Sequence, residues 1–281
     1  MQHASNFGPD FLYIGPDKSG STWLYNVLSN HPQCFVPDAK DIYYFDKYYA
    51  RGEDWYRGFF RAAPATANVK GEISHGYLFD EQAPIRIHQD FPEAKVMTTL
   101  RHPVERSISH YFYLRASGLI NCPLQEAVQK RPGIIQSSLY YQPIKRFSEQ
   151  IPSHLLHISF FEDLQLHPRE HAYAVFEFLG LDALDCVDFG AKVREARQPK
   201  NVALAKMLKL AAIKARDLGF ASMLGRIKNS QMINHLYRPL DKSAREVVTA
   251  DDRAWLAAKL RDDTLRLEDF LSCDLQHWIE A

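Results

Sequence analysis

The sequence predicts an α/β fold: a single domain with a central parallel sheet of four to five strands flanked by helices, a phosphate-binding loop, and a helical C-terminal part. Three observations carry this. Short apolar runs recur at Phe11–Ile14, Lys95–Leu100 and Leu155–Phe160, each followed by a segment of helical spacing. Strands alternating with helices imply a parallel sheet covered on both faces. The first run opens into a glycine-containing loop, and the last third carries a leucine stripe of helical period.

The elements follow in order. Phe11–Ile14 (FLYI) stops at Gly15-Pro16 and reads as a buried strand. After GPDKSGS, residues Trp23, Leu24, Val27 and Leu28 fall on one helical face, with Asn30 and Pro32 as the stop. Lys95–Leu100 (KVMTTL) leads into Arg101-His102-Pro103 and then a helix from about Val104 to Arg115. Leu155–Phe160 precedes a helix over Pro168–Leu179, with Gly180 just past its end. Thr249 with Asp252 forms a capping-box pattern ahead of Trp255, Leu256, Leu260, Leu267 and Leu271.

Composition narrows the classes. With 281 residues, 46% of them hydrophobic, the chain has enough apolar surface for one sizeable core. Lys+Arg and Asp+Glu balance at 34 each, which argues against general binding to nucleic acid or anionic membrane but permits a local basic pocket. Cys34, Cys122, Cys186 and Cys273 are widely spaced without a CxxC pair, so neither a zinc site nor a disulfide framework is expected. No secretory pattern opens the chain and no apolar run is long enough to span a membrane. The expectation is a cytoplasmic protein. Residues 1–281 read as one domain, with 199–247 as a basic flap or a helical insertion. The basic groups of 199–230, such as Lys206, Lys209 and Arg216, suit either a solvated helix face or a flap over an anion.

Two sites for phosphate emerge. A strand feeding a Gly-containing loop into a helix presents unpaired N–H groups to an anion. Lys18, Ser19, Gly20, Ser21, Thr22 and Trp23 occupy that position. The nucleotidase pattern GxxxxGKS/T fails here, because Lys18 precedes Gly20. Taken alone, the string also suits a tight turn with polar residues facing solvent. The second site is LRHPVERSISHYFYL (Leu100–Leu114), where Arg101 ends a strand and Ser109 lies one to two turns into a helix. A guanidinium fork plus a hydroxyl suits a terminal phosphate; alone, Arg101 would read as a surface salt bridge.

These motifs together resemble the sulfotransferases that use 3′-phosphoadenosine 5′-phosphosulfate (PAPS), in particular the heparan-sulfate-type and bacterial branch. GPDKSGSTWLYNVLSNHP resembles that family's 5′-phosphosulfate loop, with Asp17 where the family more often has an uncharged residue. LRHPVERSISHY resembles its 3′-phosphate motif of the form LRxPxxRxxSxY, matched at Arg101, Pro103, Arg106, Ser109 and Tyr111. Ile42–Phe60, GEISHGYLF (Gly71–Phe79), ISFFEDLQLHP (Ile158–Pro168) and VFEFLGL (Val175–Leu181) resemble further family segments in family order.

The resemblance implies PAPS as co-substrate, no metal, and in-line sulfuryl transfer to a hydroxyl or amine of a carbohydrate or small-molecule natural product. It implies Lys18 to Thr22 on the 5′-phosphosulfate and Arg101 and Ser109 on the 3′-phosphate. Arg197 and Lys200 would close over the nucleotide. The acceptor must lose a proton. The family's base is the Glu of a KE-x-x-FF string, which here reads Lys40-Asp41-Ile42-Tyr43-Tyr44-Phe45. Asp41 is therefore the base candidate. His75, standing where the family usually has Pro, is its rival. A cleft rich in Tyr (Tyr43, Tyr44, Tyr48, Tyr49, Tyr77) suits a sugar or an aromatic acceptor equally. A P-loop kinase that needs Mg²⁺ and a non-catalytic nucleotide-binding scaffold are the alternative readings.

Overall fold

A computed structural model describes residues 8–184, 197–199, 207, 237–239 and 248–279. Five strands, β1 (Phe11–Tyr13), β2 (Cys34–Phe35), β3 (Val69–Ile73), β4 (Lys95–Leu100) and β5 (Leu156–Phe160), form one sheet in the order β2-β3-β1-β4-β5. Every pairing is parallel. The helices are α1 (Ser21–Ser29), α2 (Glu53–Arg57), α3 (Ala83–Asp90), α4 (Pro103–Ala116), α5 (Leu124–Lys130), α6 (Gly133–Gln136), α7 (Tyr141–Gln150), α8 (Phe161–Leu166), α9 (Pro168–Leu179) and α10 (Ala250–Leu271). Two short strands, β6 (Arg197–Pro199) and β7 (Tyr237–Pro239), pair antiparallel, in a stretch the sequence presents as helical.

The chain forms two compact units, residues 1–100 with 146–193 and residues 101–145 with 194–281. The first holds the whole five-stranded sheet. Phe11, Tyr13, Ile73 and Met97 pack there against Trp23, Leu24 and Val27 of α1, Phe161 and Leu164 of α8, and Val175, Phe176 and Leu179 of α9. Side chains alternate along a strand, so Glu72 points to the opposite face from Ile73. There Tyr56 stacks on Tyr44 with ring centroids 4.4 Å apart and meets Phe45, Phe60 and Phe91 edge-on.

In the second unit Val104, Ile108, Tyr111 and Leu114 of α4 share a core with Leu124, Ile134, Leu256 and Leu260. Asp263 on α10 accepts the N–H groups of Tyr140 and Tyr141 at 2.6 and 3.2 Å, at the start of α7. The Thr249–Asp252 capping box is present: the Asp252 N–H donates to Thr249 Oγ1 at 3.1 Å, and the Thr249 N–H donates to Asp252 Oδ2 at 3.2 Å. Among the described residues no helix is long and apolar enough to cross a membrane. Thr249→Ala leaves the first turn of α10 uncapped and is expected to cost about 1 kcal/mol of stability, read as a lower urea midpoint with an unchanged slope.

Candidate active site

The loop after β1 is built around two glycines. Gly15, at φ 114°, packs so closely that an added Cβ would lie 2.3 Å from the carbonyl oxygen of His75. Its own carbonyl accepts from Thr98 Oγ1 at 2.5 Å. Gly20, at φ 88°, is the N-cap of α1, and a Cβ there would lie 2.6 Å from Leu164 Cδ2. The first N–H groups of α1 have no partner within the helix, and among the described residues no side chain caps them. Lys18 is held at φ 69°. Ser19 is 1% exposed, and among the described residues its hydroxyl has no hydrogen-bond partner. A buried hydroxyl without a partner is costly. Together with the uncapped helix start and Lys18, it fits a phosphate-like anion. The Trp23 ring is buried in the core, 5.6 Å from the His171 ring.

Lys40 belongs to the same place, a role the sequence did not single out. Its ammonium donates to Ser21 Oγ at 3.1 Å and Thr22 Oγ1 at 3.2 Å. The signal was there in the basic residue preceding Asp41 in the KE-like string. Asp41 and His75, read as rivals, are in direct contact: His75 Nδ1 lies 2.6 Å from Asp41 Oδ1. The His75 side chain is 34% exposed and that of Asp41 15%. The Tyr43 hydroxyl lies 3.3 Å from His75 Nε2. Burial works against a charge on His75, but Asp41's charge and hydrogen bond, with the charge of Asp17, outweigh it and the opposing Lys40. The pKa of His75 is therefore raised above the ordinary imidazole value.

A buried carboxylate holds the Asp41 loop. Glu72, 1% exposed, accepts from the hydroxyls of Tyr56 at 2.7 Å, Tyr77 at 2.8 Å and Ser74. Those of Tyr77 and Ser74 in turn accept the N–H groups of Tyr44 at 2.8 Å and Tyr43 at 3.4 Å. The Asp41 N–H donates to the Ile73 carbonyl at 3.0 Å. Asp41 and Tyr43 stand at φ 63° and 59°, a region that costs an L-residue about 1–2 kcal/mol. These bonds keep them there. Tyr44 and Tyr77, placed in a Tyr-rich cleft by the sequence, are instead 2% and 0% exposed and belong to the packing.

In the second unit, Arg101 directly follows β4 and is half-buried, its carbonyl accepting from the Tyr140 hydroxyl at 3.0 Å. Ser109 lies in the second turn of α4, half-buried. Arg106 is fully buried and donates to His110 Nδ1 at 2.8 Å, and Tyr111 bonds the Cys122 carbonyl at 2.9 Å. The backbone of Arg197 lies in β6; its side chain and all of Lys200 fall outside the described residues, as does most of the basic 199–230 stretch. Among the described residues no group of three or more His, Cys, Asp or Glu is arranged to hold a metal.

Residues 8–214 match the sulfotransferase domain family, well over half of the chain. The chain belongs to the sulfotransferase family. A heparan sulfate glucosamine 3-O-sulfotransferase of Mus musculus is 31% identical over 187 residues, 62% of this chain and 52% of that protein. A membrane-associated sulfotransferase of Dictyostelium discoideum is 38% identical over 107 residues, 37% of this chain and 23% of that protein. The chain thus spans about half or less of the length of these curated relatives. The crystal structure of a sulfotransferase from Alicyclobacillus acidocaldarius shares the fold, with a TM-score of 0.70 at 20% identity over 96% of this chain and 98% of that one. The kinase reading finds no support in these likenesses.

Glu72 generates a pH prediction. Burial, with a smaller push from Asp46, raises its pKa to about 7 against the pull of three hydroxyl donors. A carboxylate whose folded pKa lies above its unfolded value binds its proton more tightly when folded. Its stabilisation is full below pH 4.5 and is lost as pH rises to about 7. Glu72→Gln removes that dependence. Between pH 5 and 7.5 the stability of the wild type should fall relative to the variant, by about 2 kcal/mol, as measured by denaturant unfolding at each pH.

Proposed function

We propose that this protein transfers a sulfuryl group from PAPS to a hydroxyl or amine of a carbohydrate or small-molecule natural product. The buried, unpartnered Ser19 hydroxyl beside the uncapped start of α1 carries the reading. It is a donor set already arranged for an anion, with Lys18 and Lys40 adding positive charge. The reading takes residues 1–281 as one sulfotransferase domain. Lys18, the hydroxyls of Ser19, Ser21 and Thr22, and the N–H groups through Trp23 are assigned the 5′-phosphosulfate. Arg101 and Ser109 are assigned the 3′-phosphate. Arg197 and Lys200 are assigned closure over the nucleotide.

The chemistry follows from those assignments. As the acceptor oxygen or nitrogen approaches sulfur, negative charge grows on the departing 5′-phosphate, and preorganised donors stabilise it without reorganising. Lys18 and the first-turn N–H groups do this work. A carbohydrate acceptor draws support from the 3-O-sulfotransferase likeness, whose named substrate is heparan sulfate glucosamine. A screen of sugar and phenolic acceptors with labelled PAPS tests it, and label on phenols alone would overturn the carbohydrate assignment.

Two outcomes test the donor. In calorimetry the protein should bind the 3′,5′-bisphosphate nucleotide at least roughly tenfold tighter than AMP, because charge-assisted hydrogen bonds to the 3′-phosphate are worth more than 1 kcal/mol. Equal affinities would remove the roles of Arg101 and Ser109. Lys18→Ala should lower turnover by roughly 10²–10³-fold with little change in the unfolding midpoint. Unchanged turnover would place the phosphosulfate elsewhere.

A further inference from the structure

Outside the nucleotide loop, the first unit contains an arrangement that packing alone does not account for. Asp41, Tyr43 and His75 form a chain of contacts: carboxylate to Nδ1 at 2.6 Å, then Nε2 to the Tyr43 hydroxyl at 3.3 Å. Asp41 and Tyr43 hold positive φ angles to make it. The backbone of His75 packs directly on Gly15, the residue that opens the phosphate loop. Lys40, next to Asp41, bonds the two hydroxyls that begin α1. The arrangement is thus tied to the loop through His75 and through Lys40, the neighbour of Asp41.

We propose that Asp41 and His75 act as one unit, in which His75 Nε2 takes the acceptor's proton and Asp41 is the positioning residue that fixes the ring. This rests on the donor reading above and assigns the base within it. The geometry decides the roles. The short bond occupies Nδ1, so Nδ1 carries the hydrogen and donates to Asp41, which leaves a lone pair on Nε2. The hydroxyl at Nε2 is the longer and weaker contact, so an acceptor hydroxyl can displace it. His75 is also the more exposed member of the pair. In the step, the acceptor oxygen forms a bond to sulfur, and the bond from sulfur to the 5′-phosphate oxygen breaks. Its electron pair leaves with the bisphosphate nucleotide, and the acceptor's proton passes to Nε2. Asp41 then faces an imidazolium, whose charge it stabilises until the proton is lost to water.

The charged and titratable groups around the ring are Asp41, Asp17, Lys40 and Tyr43, with the Lys47 ammonium 3.9 Å over the Tyr43 ring. Asp41 and Asp17 favour the charged ring and Lys40 opposes it. The neutral, basic form therefore fills as pH rises through a midpoint above about 6.5.

The test is a titration of the His75 ring by long-range ¹H–¹⁵N correlation on the full chain, assigned by the signal that His75→Gln removes from the 12 histidines. The wild type should show the Nδ1–H tautomer and a raised midpoint. Asp41→Asn keeps a side chain that tolerates positive φ and removes the charge, so the midpoint should fall. The acid limb of nucleotide release from PAPS, with N-acetylglucosamine as the alcohol probe, should move to lower pH with it. His75→Gln should cost roughly 10²–10⁴-fold at every pH. A midpoint that stays put in Asp41→Asn, or an Nε2–H tautomer in the wild type, overturns the assignment whether or not turnover is measurable. Calorimetry with the bisphosphate nucleotide separates the two readings. Wild type that fails to bind it sinks the donor reading, whereas intact binding with an unmoved midpoint sinks only the pair.

Discussion

The parallel register of β1 between β3 and β4 is the constraint on which the site rests. Phe11 stands level with Gly71 on one side and Lys95 on the other, and Tyr13 with Ile73 and Met97. In a parallel sheet all carboxyl ends emerge at one edge, where ligands of open α/β sheets bind. Here that edge brings out the loop from Gly15 and the segment from Ser74 side by side. The Ser74 N–H donates to the Tyr13 carbonyl at 3.0 Å, the Leu78 N–H to Ile14 at 3.0 Å, and the Ile14 N–H to Met97 at 2.9 Å. These bonds extend the ladder past the strands themselves. The contact of Gly15 with His75 is a consequence, and it leaves no room for a side chain at residue 15.

Glu72 extends the same control to a loop with no regular structure of its own. Its carboxylate accepts from two hydroxyls that in turn accept the N–H groups of Tyr43 and Tyr44. One buried charge thus orients the donors that hold residues 41–44. Three of the four described non-glycine residues at positive φ are Lys18, Asp41 and Tyr43. Strain gathered at one place persists only where the surroundings over-determine it. Here the surroundings are the end of β3, the Glu72 hydroxyl network and the start of α1.

Much of this was legible in the sequence, and the gaps have physical causes. β1, β4 and β5 are apolar runs, and helix ends are announced by single residues, as Gly180 ends α9 and the Thr249–Asp252 pair starts α10. β3 was not legible as a strand, because Lys70 and Glu72 break its apolar pattern, and the burial of Glu72 depends on hydroxyls from Tyr56 and Tyr77 that periodicity does not reveal. β2 is only two residues long. Tyr44 and Tyr77 looked like cleft residues because composition cannot tell an aromatic core from an aromatic wall. Lys40 was visible only as a neighbour of Asp41, since its bond to Ser21 and Thr22 joins segments that the fold alone brings together.

The same limit explains why Asp41 and His75 read as competitors. Each departs from the family strings that the sequence resembles: a carboxylate one methylene shorter than Glu, and an imidazole in place of Pro. Taken singly, each departure weakens a catalytic role, since the short carboxylate falls back from the acceptor and a lone histidine has no fixed tautomer. Taken together they complement each other. The imidazole extends the reach that the shorter side chain gives up, and the carboxylate fixes the ring that a prolyl backbone would not supply. In the proposed pair the two departures are one change of design, made where the loop geometry holds the partners 2.6 Å apart.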